Sequence, residues 1–154
     1  MIFTDEVKHF WNEFRMTRSD ISAQTQYQTW YFGNTREMAS ELAELVLSDL
    51  KTATASSVAA DAIEPEKAPI TDGYSLVTDF EGRPLCIIQT KEIRYIPFNE
   101  VDAKFAFDEG EDDRSLESWR ASHWQYFTRE AEQHGFEFDE QSLVCCERFR
   151  RLFP

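Results

Sequence analysis

The chain has 154 residues, of which 42% are hydrophobic and 14% aromatic, and its formal net charge is −13. This length suits one domain with a real apolar core, and the composition excludes a disordered chain. The negative charge disfavours a protein that coats RNA or anionic membrane over its whole surface. No apolar run approaches the roughly 20 residues of a membrane span, and the N-terminus carries no apolar signal core. We therefore expect a soluble protein.

The cysteines argue against a metal or disulfide framework. There are three of them, Cys86, Cys145 and Cys146, without the C-x-x-C spacing of a metal site. Neighbouring residues of a strand point to opposite faces, so Cys145 and Cys146 would not pair easily. The sequence also lacks a Gly-rich phosphate loop. We expect free thiols in a reducing cytoplasm, and no bound zinc, haem or flavin.

The N-terminal half is predicted to hold two helices and a strand. Apolar residues at helical spacing predict a first helix over residues 5–16, capped by Thr4, and a second over about 36–50, preceded by Thr35. The polar segment between them, Arg18–Thr29, is predicted to be a loop. A strand from Lys51 to Val58 follows, and the acidic, Pro-punctuated segment Ala59–Pro69 is predicted to be a connection.

The C-terminal half is predicted to hold a hairpin, two helices and a last strand. The predicted elements are strands over Gly73–Phe80 and Leu85–Ile96, helices over about 100–108 and 114–134, and a strand over about 143–152. Asn99 and Asp113 are the expected caps of the two helices, and Gly110 and Gly135 are expected to end them. No repeat or linker interrupts the chain, and this order of elements predicts an α+β fold.

Several short motifs follow one another over about three quarters of the chain. They are Phe32-Gly33, Lys51-Thr52-Ala53-Thr54-Ala55-Ser56, Gly73–Val77, Glu81–Pro84, Pro97–Val101, Glu109–Arg120, His123-Trp124 and Cys146–Phe149. In this order they resemble the ASCH-domain family, a relative of the PUA-like barrels. Each motif alone is weak, and the combination is fairly specific.

The resemblance implies a fold, a partner class and two reaction types. It implies a single ASCH-like domain over residues 1–154, built as a β-barrel of about five or six strands flanked by helices, with residues 1–30 as a helix and loop packed on it. The expected partner is a nucleoside or single-stranded RNA, without a membrane, and the protein is expected to be a monomer or homodimer. Some family members resemble amidohydrolases that remove acetyl from N4-acetylcytidine, and others resemble ribonucleases.

The resemblance also carries candidate site residues. The amidohydrolase-like members use a Lys, a Thr three residues later and a Glu after the long strand pair, which here correspond to Lys51, Thr54 and Glu109. Many members carry an Arg two residues after the Thr, and Ser56 stands there in this chain. The candidate substrate-binding residues are Ser56, Thr52, Tyr74, Arg114, Trp124 and Arg148.

The residues themselves support a polar face but leave its chemistry open. Alternation along a strand places Thr52, Thr54 and Ser56 on one face. A hydroxyl beside a neutral Lys can become a nucleophile, which requires the pKa of Lys51 to fall from about 10.4 to about 7–8. A nearby Glu109 opposes that fall. Either burial neutralises Lys51, which is then the base, or Glu109 is the base and Lys51 stays a cation that polarises a carbonyl or stabilises a phosphate.

Three functions are therefore weighed. The leading hypothesis is a hydrolase of an N4-acylated cytidine amide that needs no cofactor. The second is a metal-assisted ribonuclease, for which the acidic run Asp108–Asp113 could supply oxygen ligands, although such a run is more often a solvated loop. The third is a non-catalytic RNA- or nucleotide-binding module.

Overall fold

The computed structural model describes all of residues 1–154 and contains helices on both sides of one sheet. The elements in chain order are α1 (Asp5–Met16), β1 (Tyr27–Trp30), α2 (Arg36–Leu47), β2 (Ala53–Ser57), α3 (Val58–Ile63), β3 (Tyr74–Thr78), β4 (Pro84–Pro97), α4 (Ala103–Glu109), α5 (Leu116–His134) and β5 (Leu143–Phe153). Single helical turns at Pro65–Lys67 and Phe98–Glu100 complete the structure. None of the helices combines the length and the apolar character of a membrane-spanning segment.

The five strands form one open mixed sheet in the order β1-β3-β4-β5-β2. The β1–β3 pair is parallel, and the other pairs are antiparallel. The predicted α+β class with about five strands is confirmed, but the predicted closed barrel is wrong because β1 and β2 are edges that do not pair with each other. Residues of both edges line one large cavity, which occupies the gap between them.

The helix starts follow side-chain capping. The predicted caps Thr4 and Thr35 accept hydrogen bonds from backbone N–H groups at 3.2 Å and 3.1 Å. The later two helices begin further along than predicted, since Asp102 and Ser115 are their caps. An unpaired carboxylate or hydroxyl at any of several nearby positions can satisfy the same backbone groups, so the sequence does not fix which one does.

Two predicted irregular segments contain regular structure. The Arg18–Thr29 segment, predicted to be a loop, enters β1 at Tyr27, which pairs with Tyr74 of β3. The Ala59–Pro69 segment, predicted to be a connection, begins inside α3, which Ser57 caps. The parallel partner of β1 lies far along the chain, so local periodicity gives no signal for it.

The apolar residues form three clusters around the sheet. α1 packs Val7, Trp11 and Phe14 against Leu76 and Ile87. A second cluster joins α2 to the middle strands, and a third joins α4 and α5 to β2 and β5. The three cysteines are free and buried, in agreement with the prediction of free thiols. The polar groups described next lie where the second and third clusters approach each other.

Candidate active site

Lys51 reaches the interior because two chain segments approach unusually closely. It lies between the end of α2 and the start of β2, and its side chain is 1% exposed. Gly110, which ends α4, has φ +73°, and a Cβ there would lie 2.3 Å from the carbonyl oxygen of Leu50. Only glycine permits this approach, which brings Glu109 beside Lys51.

The Lys51 ammonium finds all its hydrogen-bond acceptors on two acidic residues. Its Nζ lies 2.6 Å from Glu111 Oε2, 3.2 Å from Glu109 Oε2 and 3.5 Å from the Glu109 carbonyl oxygen. The ring of Phe32 lies 5.5 Å from the same nitrogen. An ammonium has three N–H donors, so each of them has an acceptor here.

Glu109 is the centre of a wider network. Trp119 Nε1 donates to its Oε1 at 3.1 Å, and His123 Nε2 lies 3.4 Å from its Oε2. His123 Nδ1 lies 2.8 Å from the carbonyl oxygen of Trp119. Because both ring nitrogens face acceptors, the imidazole is placed to donate twice, as a cation does.

The charges in this cluster stabilise one another. Burial alone would lower the pKa of Lys51, but Glu109 and Glu111 outweigh it and hold that pKa above its ordinary value. Burial opposes ionisation of Glu109 as well, yet Lys51 and His123 hold its pKa well below the usual range. Burial lowers the pKa of His123, but the adjacent Glu109 carboxylate raises it by more, so the pKa of His123 lies above its ordinary value. Burial and the neighbouring Glu109 raise the pKa of Glu111 to about 7.

Thr54 borders a small cavity beside this cluster. The cavity, called the inner cavity below, has a volume of about 100 Å³. It is lined by Phe32, Gly33, Met38, Leu42, Thr54, Ala55, Glu109, Glu111, Ser122, His123 and Tyr126. The Thr54 hydroxyl makes no hydrogen bond to another protein group, and Lys51 is not within hydrogen-bond distance of it. The structure thus brings Glu109 and Thr54 to one cavity, with Lys51 directly behind the carboxylate.

Three of the predicted substrate-binding residues lie near β2 or β3 in different environments. Ser56 is two residues beyond Thr54 and donates to Asp61 Oδ2 at 2.7 Å. Thr52 precedes the strand, and its exposed hydroxyl donates to the carbonyl oxygen of Asp108 at 3.3 Å. Tyr74 packs in the α1 cluster, with its ring 5.7 Å from Trp11. Of the three, Ser56 lines the large cavity between β1 and β2, and Thr52 and Tyr74 line neither that cavity nor the inner cavity.

The other three predicted substrate-binding residues lie outside the inner cavity. The guanidinium carbon of Arg114 lies 3.6 Å from the centre of the Phe107 ring. Arg148 forms an ion pair with Asp108, with an N···O distance of 3.3 Å. Trp124 packs at 5.5 Å from the ring of Phe98. Their roles in substrate binding stay predictions.

Three side chains could hold a divalent metal. The ligand atoms of Glu109, Glu111 and His123 all lie within 4.8 Å of one another. Carboxylate oxygens with one imidazole suit ions such as Mn²⁺ or Zn²⁺. The Lys51 ammonium contacts both carboxylates, so a metal would compete with a cation that the protein already supplies.

Two acidic residues of this region were not singled out from the sequence as individual site residues. Glu111 belongs to a run that looks like a solvated loop, and only the Lys51 contact distinguishes it. Glu147 lies directly opposite Thr54 in the β2–β5 register and accepts a hydrogen bond from Thr90 Oγ1 at 2.6 Å. Burial raises the pKa of Glu147 to about 7. Its signal was the single acidic residue of the strand Leu143–Phe153, directly after the apolar run Leu143–Cys146.

Known proteins with this fold have the same architecture over nearly their whole length. A crystal structure of an ASCH domain from Lactobacillus crispatus JV V101 superposes with a TM-score of 0.90 at 28% identity, over 98% of this chain and 96% of that one. A crystal structure of a protein from Enterococcus faecalis V583, assigned to a family of unknown function, superposes with a TM-score of 0.85 at 30% identity, over 96% and 88%. No curated protein matches the chain. The ASCH domain profile matches residues 28–152. The chain therefore belongs to the ASCH domain family, a PUA-like family of the RNA-binding kind.

Proposed function

We propose that this protein hydrolyses the N4-acyl amide of a cytidine-type nucleoside, with Thr54 as the nucleophile. The observation that carries the proposal is a hydroxyl without a protein partner on the wall of a cavity that also holds Glu111 and His123. A nucleophilic hydroxyl needs a nearby base of suitable pKa. The Glu111 carboxyl lines the same cavity and has a pKa of about 7, so we assign it as that base.

The reaction would proceed in two steps. Thr54 Oγ attacks the acyl carbon while Glu111 accepts the hydroxyl proton, and the C–N bond then breaks as that proton moves to the departing cytosine nitrogen. Water next attacks the acyl-threonine ester and gives its proton to Glu111. The bond between the acyl carbon and Thr54 Oγ then breaks, Glu111 returns its proton to Thr54 Oγ, and the carboxylic acid leaves.

Lys51 and Glu109 have supporting roles in this scheme. The contacts of Lys51 with two carboxylates favour its cationic state over the neutral base, the alternative that the sequence left open. A buried cation holds Glu111 in place and favours negative charge on the reacting carbonyl. Glu109, kept anionic by Lys51 and His123, fixes the orientation of the imidazole.

The test is release of cytidine from N4-acetylcytidine, followed by mass spectrometry. Thr54→Ala is expected to lower the rate by at least about a thousandfold. Thr54→Ser keeps a hydroxyl and should retain part of the rate, and Thr71→Ala, at an exposed turn, is the matched control with an unchanged rate. Wild-type protein that releases no cytidine, or a Thr54→Ala variant with full activity, would refute the proposal.

A second candidate is metal-assisted cleavage of RNA. It is favoured by the grouping of Glu109, Glu111 and His123 within 4.8 Å. Cleavage of single-stranded RNA that requires added Mn²⁺, is stopped by EDTA and survives Thr54→Ala would establish this activity in place of amide hydrolysis. Binding of N4-acetylcytidine or RNA without turnover would instead identify a binding module.

A further inference from the structure

A second and larger cavity lies beside the first. This outer cavity has a volume of about 660 Å³ and is lined by residues of β1, β2, β3, α3 and α5. It shares Gly33 and Tyr126 with the inner cavity but none of the Lys51 network. A volume of this size accommodates a small organic molecule. The inference below concerns this cavity and goes beyond the proposed hydrolysis.

Aromatic rings form much of its wall. Trp30, Tyr31, Phe80 and Tyr126 line it, and the rings of Tyr31 and Phe80 lie 5.2 Å apart. Tyr31 is 40% and Phe80 37% exposed, which is high for large aromatic side chains that already have a packing partner. Aromatic faces attract cations through the negative potential of the ring, and the Arg36 guanidinium already lies 5.4 Å from the centre of the Phe80 ring.

Two carboxyl groups in the same wall form no ion pair. Asp61 accepts a hydrogen bond only from Ser56, and the Oε1 atom of Glu130 is buried with no hydrogen-bond partner. Burial raises the pKa of both carboxyls, and for Glu130 the charge of Asp61 adds to the effect. A buried carboxylate oxygen without a donor is unfavourable, so a ligand that supplies N–H donors would relieve it.

The cationic groups of the wall do not form ion pairs with Asp61 or Glu130, and this includes His134 and the N-terminus at Met1. Lys67 pairs with Glu64, and Glu81, the fourth acidic side chain of the cavity, pairs with Arg36 and Arg83 at its rim. Asp61 and Glu130 are therefore the two acidic side chains of the wall that no cation contacts. Their negative charge would repel a phosphate group and attract a protonated nitrogen group.

We propose that the outer cavity binds an organic ligand through a positively charged amidine-type group, which is held between the Asp61 and Glu130 carboxylates and the aromatic wall. A planar amidinium offers paired N–H donors to a carboxylate and a flat face to a ring. Phosphorylated ligands are excluded by the same charges.

Three probes of nearly equal shape test this proposal: benzamidine, benzamide and benzoate. They differ in charge, being cationic, neutral and anionic. Binding is measured by two-dimensional NMR titration of the isotope-labelled full chain, with the indole N–H signal of Trp30 assigned through Trp30→Phe. We expect benzamidine to bind about tenfold more tightly than benzamide and to shift the Trp30 signal, and benzoate to cause no shift.

Paired variants separate the cavity from the overall negative charge. Asp61→Asn with Glu130→Gln should weaken benzamidine binding by about tenfold and leave benzamide binding unchanged. Glu41→Gln with Glu44→Gln removes the same charge from exposed positions of α2 and should change neither. Equal binding of benzamidine and benzamide, absence of benzamidine binding at millimolar concentration, or equal losses in both variant pairs would each overturn the proposal. Thr54→Ala leaves this cavity intact, so failure of the hydrolysis test and failure of this one are distinct results.

Discussion

Replacement of Lys51 by Met should destabilise the protein strongly and in a pH-dependent way. The ammonium is 1% exposed and contacts Glu109, itself 1% exposed, and Glu111. Its removal leaves a buried, uncompensated carboxylate, a change that typically costs about 3–5 kcal/mol of unfolding free energy. Such a loss is a large fraction of the total stability of a domain.

The pH dependence follows from the sign of the pKa changes. In the wild type, Lys51 holds the folded-state pKa of Glu109 below its ordinary value of 4.5. The stabilisation that the Glu109 carboxylate contributes is therefore present above pH 4.5 and is lost as the pH falls through the lowered pKa. Without the cation, burial raises the pKa values of both carboxyls in the folded state. Protonation of these carboxyls at lower pH then removes the unfavourable buried charge. The loss of unfolding free energy in Lys51→Met should therefore be larger at about pH 8 than at about pH 5.5.

Urea unfolding followed by tryptophan fluorescence measures this effect. Lys104→Met, which breaks the exposed pair with Asp108, is the control and should cost less than about 1 kcal/mol. Lys51→Met combined with Glu109→Gln and Glu111→Gln removes the charges together and should recover much of the loss. A Lys51→Met deficit below about 1 kcal/mol, or one that is the same at both pH values, would refute the electrostatic account of this cluster.

Two further perturbations test other parts of the structure. Burial raises the pKa of Glu147 from 4.5 to about 7, so the wild type should lose stability as the pH rises from 4.5 through about 7. In urea unfolding, the stability of Glu147→Gln relative to the wild type should therefore increase by about 3 kcal/mol between about pH 4.5 and 8.5. A difference that does not depend on pH would contradict this. Gly110→Ala places a Cβ 2.3 Å from the Leu50 carbonyl oxygen and should cost more than about 2 kcal/mol in thermal unfolding. Gly135→Ala has the same positive φ but open space around it and should cost about 1 kcal/mol, so equal losses at the two glycines would argue against the close approach.

The site was only partly accessible from the sequence. Lys51, Thr54 and Glu109 were selected through a family resemblance, and the structure places Thr54 and Glu109 at one cavity with Lys51 behind it. The strand alternation that grouped Thr52 with Thr54 fails at Thr52, because β2 begins one residue later. Alternation applies only within a strand, and the sequence does not define where pairing with a distant strand starts.

The amino-acid sequence by itself determined the local features of this protein. The caps Thr4 and Thr35, the glycines that end α4 and α5, and the long strands β4 and β5 follow from signals within a few residues of one another. The tertiary structure decided whatever depends on partners distant in the chain. It placed β1 beside β3, left the sheet open, and brought Glu111, one residue of an acidic run, into an ion pair with Lys51. The charge state of a buried group depends on its neighbours in space, so the cationic state of Lys51 could be judged only once those neighbours were known.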